Sequence, residues 1–409
     1  LGFVALLALG CGKKSFLAPG AAADLVQAVA SPEPEEPAGD ADRGKALVAR
    51  FECSRCHEGT GMPAVTLERQ CFTCHQKVAS GELKGPKAAE ARWHDRVLDL
   101  TDAPSLTSSQ KRFRRTWLVG FLLDPKDLRP RLAPTMPQLE MTRDEARDIA
   151  AYLAAPDDPA AKPDLNGADL ERGRKLMEQN ACASCHVFTG VPPLLGALPE
   201  TPSTRDLPRA MRLAPDLRFA RRRLRPEALV AWVASPKAVK PDTEMPAFAL
   251  KPEDARDIAA YVLTTPLAAP APRAPVPRLP PLNRKVTYDE VSTRVFLRTC
   301  WHCHGEPDYA KGDGGPGNTG GFGFKARGIN FADYGSVIAG GVDDHGERHS
   351  LFEKGADGIP RLLRTLLVRR DEEAGHRDRE LRGMPLAYPS LSPEDVQLVE
   401  SWIAQGHPR

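Results

Sequence analysis

Eight of the nine cysteines fall in four Cys-x-x-Cys pairs, Cys53/Cys56, Cys71/Cys74, Cys182/Cys185 and Cys300/Cys303. A histidine follows each pair at once: His57, His75, His186 and His304. A chain with nine cysteines and ten histidines would show on the order of 0.01 such motifs by chance, so the pattern is chemistry. Zinc fits residues 53–74, where one pair follows another at zinc-ribbon distance, but it leaves the pairs at 182 and 300 without partners. A redox dithiol calls for surrounding strand–helix alternation, which is missing. Covalent attachment of haem uses every residue of every copy. Two thiols three residues apart share one side of a helical turn and reach the two vinyl groups of one porphyrin, and the next residue sets its imidazole beneath the iron.

The elements that must position these groups recur. Residues 42–63 (DRGKALVARFECSRCHEGTGMP) align without a gap on 171–192 (ERGRKLMEQNACASCHVFTGVP), Gly44 on Gly173 and His57 on His186. Residues 135–153 match 244–262, with ARDIAAY identical in both and Met136 on Met245. Met141 falls on Leu250, which marks it as a core side chain. The first copy carries about eighteen extra residues between these anchors. The motif at Cys71 lies among them, as an insertion into a repeat that works without it. After the Pro-rich stretch 264–285, extended at about 3.1 Å per residue to roughly 60 Å, the order returns: helix, Cys-x-x-Cys-His, loop, Met384-Pro385, terminal helix. Ser392-Pro393-Glu394-Asp395 reads as a helix start. Helical periodicity dominates, which gives an all-α fold with at most a small two-stranded piece near the third unit's glycines.

These motifs resemble the c-type cytochromes. The resemblance covers three units and implies tandem cytochrome c-like helical domains at 41–156 (two haems, insertion about 64–102), 165–266 and 286–409, joined by Pro-rich linkers (267–285) and carrying four covalent haems. In that family a methionine before the last helix closes the sixth iron position, which implies Met136, Met245 and Met384 as distal ligands to His57, His186 and His304. A proline carbonyl supports the proximal imidazole, which implies Pro104 and Pro215, with Pro316 a weaker match. The inserted haem at His75 has no repeat partner. His94, on the segment AAEARWHDRVLDL, competes with Met62 and Met141 for its sixth position, and a His ligand there would lower its potential.

At the N-terminus, the ten mostly apolar residues of LGFVALLALGCGKKS are too short for a membrane span. It resembles the end of a bacterial lipoprotein signal (1–11), with Cys11 as the lipidated residue and 12–40 as a disordered tether. Formal charge is only +2, so nothing global points to nucleic acid. The basic runs 111–115 and 218–226 read as solvated helix faces, or as pairs for haem propionates or an acidic partner. His302, inside the fourth motif, reads as a surface residue. The glycine-rich stretch 312–324 lacks the Lys-Ser/Thr of a phosphate loop.

The expected function is a membrane-tethered tetrahaem carrier in the periplasm or at the cell surface. It would relay electrons between a membrane oxidoreductase and another carrier or terminal acceptor, without substrate chemistry of its own. The alternatives are a haem enzyme with one open iron, acting on peroxide or a similar small oxidant, and a fixed cytochrome subunit of a respiratory complex.

Overall fold

The computed structural model describes residues 36–84, 90, 93–94, 101–132, 136–158, 163–198, 207–270, 277–307, 313–376, 378 and 381–409. Cys11 and the tether up to residue 35 lie outside them. The chain is helix-rich, 44% helix and 3% strand. The strands are a two-residue hairpin, β1 (Gly341–Val342) with β2 (Arg348–His349). Among the described residues no helix is long and apolar enough to cross a membrane.

Apolar side chains gather in three clusters. The first joins helices α1 (Ala41–Arg50), α2 (Arg115–Leu123) and α3 (Arg143–Leu153) around Val48, Phe51, Val119 and Ile149. The second joins α4 (Leu170–Gln179), α5 (Pro226–Ala234) and α6 (Pro252–Thr264) around Met177, Ile258 and Leu263. The third, richer in aromatics, forms around Trp402, Phe296 and Phe331, between the helical turns 288–296 and α7 (Pro393–Ala404). Ser392 caps α7 by accepting from Asp395 N at 3.1 Å, with Pro393 in the first turn. Such a cap is worth about 1 kcal/mol.

The first two clusters are built alike. α1 crosses α3 and α4 crosses α6 at a glycine. A Cβ on Gly44 would sink into the Asp148 carbonyl, and one on Gly173 into that of Asp257. The aspartate inside ARDIAAY then ties the crossing. Asp148 accepts from Asp40 N at 2.7 Å and from Arg43 Nε at 2.8 Å, and Asp257 accepts from Asp169 N at 3.1 Å and Arg172 Nη1 at 2.6 Å. The shared sequence is thus a shared helix junction.

The two copies also bond to one another. Arg114 N donates to Arg223 O at 3.0 Å, Arg225 N donates to Arg112 O at 2.9 Å, and Phe113 and Leu224 form an antiparallel bridge between them. The pairing is reciprocal, as a local two-fold axis requires. The basic runs therefore face each other at this seam. The Pro-rich stretch also departs from a free extended spacer. Its described end lies along α7, where Leu282 N donates to Ser401 Oγ at 2.8 Å and Gln397 Nε2 donates to Pro280 O at 2.6 Å.

Candidate functional site

Each motif sits at the end of a helix or on a short turn. Cys53–Arg55 forms a 3₁₀ turn after α1, and Cys182–Cys185 a helical turn after α4. Both are entered through a left-handed residue, Glu52 (φ 50°) and Ala181 (φ 52°). The motif at Cys71 opens its own helix, Cys71–Ala79, capped by Gln70, whose side chain accepts from Thr73 N at 2.8 Å. Cys300–His302 is again a 3₁₀ turn. All eight cysteines are unbridged. Burial pushes the thiols of Cys53, Cys182 and Cys303 up to about 11 and that of Cys300 to about 12.

His57 Nδ1 lies 2.8 Å from Pro104 O, and His186 Nδ1 lies 2.8 Å from Pro215 O. A carbonyl only accepts, so in both rings the proton is on Nδ1 and Nε2 keeps its lone pair for a metal. Burial lowers both imidazoles below the ordinary 6.5, against the pull of the proline carbonyls. Neutral rings are what iron ligation needs. Desolvation takes His304, half-buried, down to about 4. Its ring packs edge-on to Phe331, centroids 5.5 Å apart, and so tightly on Gly317 that no side chain fits there.

One cavity of about 1200 Å³ runs through the molecule. A single small-ligand pocket takes roughly 300–1,000 Å³. It is lined by the cysteines and histidines of the first three motifs, by Met136 and Met245, and by His302 and Cys303 of the fourth. The Trp232 indole donates to Met245 Sδ at 2.8 Å. The thiols of Cys56 and Cys71 lie close enough to titrate together, with the interaction between them lowering the Cys71 thiol to about 7 and raising that of Cys56, so the first two motifs adjoin. Met384 and Cys300 are half-buried against the third core. His94 is exposed and lies outside the cavity lining, and Met62 and Met141 pack on the first core, also outside it.

Two groups at the cavity go beyond what the sequence set out. Arg112, Arg129 and Arg223 line the cavity. Burial and mutual repulsion push Arg129 down to about 10 and Arg223 to about 9, and burial alone takes Arg112 to about 10. Arg112 Nε and Arg223 Nε are buried with no hydrogen-bond partner among the described residues. Arg112 and Arg223, each inside a basic run that the sequence offered as a pair for haem propionates, occupy equivalent places beside Phe113 and Leu224, whereas Arg129 lies outside both runs. His302 is the other group. It is half-buried, with its ring 5.8 Å from that of His75.

This donor set fits a haem. It offers paired thiols, neutral Nε2 atoms, thioethers, an apolar cavity, and buried cations that would meet propionate carboxylates. Residues 170–266 match the cytochrome c family model. No curated protein and no solved structure matches the chain. A cytochrome c domain carries covalently bound haem c with its iron, and its chemistry is haem-based electron transfer.

Proposed function

We propose that the cytochrome c chemistry of residues 170–266 extends over the whole chain. On this reading it is a tetrahaem electron relay, tethered at Cys11 to a bacterial membrane and working on its periplasmic or outer side. It passes electrons between a membrane oxidoreductase and another carrier or terminal acceptor. The observation that carries the reading is the repeated support of the proximal histidine. His186, inside the matched segment, and His57, outside it, meet proline carbonyls at the same 2.8 Å. The shared cavity adds support, since relays require their centres to be close.

Haem iron supplies a reversible one-electron couple when bound. The chain's part is to hold and tune it. Pro104 and Pro215 fix the imidazole tautomer, Met136 and Met245 face the same cavity as those imidazoles, and Met384 belongs to the core that surrounds the fourth motif. An iron held by His and Met would have no open position for a substrate, so it would change charge and do little else.

A spectropotentiometric titration of the holoprotein tests this. Four one-electron, low-spin couples are expected, with no peroxide turnover. A high-spin haem that takes cyanide or CO without displacing methionine would favour the enzyme reading instead.

A further inference from the structure

We propose that His302 supplies the second axial ligand to the iron held at His75, so that the third unit completes a haem site of the first. The inference rests on the reading that the second motif carries a haem.

The ring centroids of His75 and His302 are 5.8 Å apart, and both residues line the cavity. Two imidazoles bound through nitrogens at about 2 Å on opposite sides of one metal hold their ring centres roughly 6 Å apart. The observed separation is within a few tenths of an ångström of that span. His302 is also held in place. Its ring stacks on Tyr388 (centroids 6.3 Å, interplanar angle 21°), and its backbone belongs to the 3₁₀ turn Cys300–His302. The glycine-rich loop that follows the turn is fixed against the first unit. Arg55 Nη2 pairs with Asp313 Oδ2 at 2.6 Å, Phe322 N donates to Glu52 Oε2 at 2.9 Å, and Gly323 sits on the Phe51 ring.

The rival donors are placed differently. His94 is exposed and off the cavity lining, while Met62 and Met141 belong to the first apolar core. Ligation by His302 makes this iron bis-histidine, and lower in potential than its His/Met neighbours. It also places that iron's ligand one peptide bond from Cys303, an anchor of the fourth motif.

The test uses full-length holoprotein with His302→Ala, His302→Met and His94→Ala. Intact mass comes first: a wild type whose mass does not fall by one haem on Cys71→Ser/Cys74→Ser has no haem there, and both the reading and the inference fail. With the haem count unchanged, His302→Ala is expected to turn one low-spin haem in four high-spin by electron paramagnetic resonance, and added imidazole to reverse it. His302→Met should raise one midpoint potential and leave three. Four low-spin haems in His302→Ala, or the spin change in His94→Ala instead, would overturn the inference while sparing the tetrahaem reading. Should His302→Ala not accumulate, near-infrared magnetic circular dichroism of His94→Ala decides: one bis-imidazole haem retained supports the inference, and none refutes it.

Discussion

Arg112, Arg129 and Arg223 bring three guanidinium groups into one cavity wall, and burial alone makes that unfavourable. An unpaired buried charge costs several kcal/mol, and here like charges add to the cost, pulling Arg223 down to about 9. Carboxylates in the cavity would offset it, and propionates are the carboxylates a haem brings. A cation near iron disfavours the ferric state, so Arg223→Met is expected to lower the midpoint potential of the adjacent haem. An unchanged potential on spectropotentiometric titration would count against this role. The sequence made Arg112 and Arg223 conspicuous, as solvated faces or as pairs for haem propionates or an acidic partner, but gave no sign of Arg129. It could not show Arg112 and Arg223 meeting across a seam, because that depends on how two repeats pack. His302 was read as a surface residue for the same reason: the His75 ring beside it lies in another unit.

At the scale of elements, the junctions α1/α3 and α4/α6 carry the two repeats. Adding a methyl at Gly44 or Gly173 forces the helices apart. Each Gly→Ala substitution is expected to destabilise by about 1–3 kcal/mol, as overpacking does, measured by denaturant unfolding of the holoprotein. Asp148 gives the junction a pH dependence. The hydrogen bond from Arg43 comes first among the causes that hold its carboxyl below 3.8. A depressed folded-state value contributes stability that is present above 3.8 and lost as pH falls through the lower folded value. Asp148→Asn should therefore flatten the acid limb of the stability curve below about pH 4, and an identical limb would contradict it. The identity of ARDIAAY in both copies was legible as a repeat. Its cause was not, since the amide that Asp148 caps lies 108 residues away.

For the whole molecule, the sequence set the third unit beyond an extended Pro-rich stretch, whereas the structure docks it against the first. Arg55, whose side chain is only 7% exposed, holds Asp313 across 258 residues and is joined there by Glu52. A contact of that separation leaves no trace in local pattern. Asp313→Ala should loosen the dock, seen as a larger radius of gyration by small-angle scattering, and an unchanged radius would show that the remaining contacts suffice. The helical class, the four motifs and the prolines beside His57 and His186 were all legible, because each is a matter of residue type and spacing. The central claim is that all four motifs hold haem in one chain. Intact mass of the holoprotein, with each cysteine pair changed to serine in turn, tests it most directly. Four covalent haems in the wild type, with one lost per variant, is the predicted result. Fewer than four in the wild type, or a pair whose loss changes nothing, would contradict it.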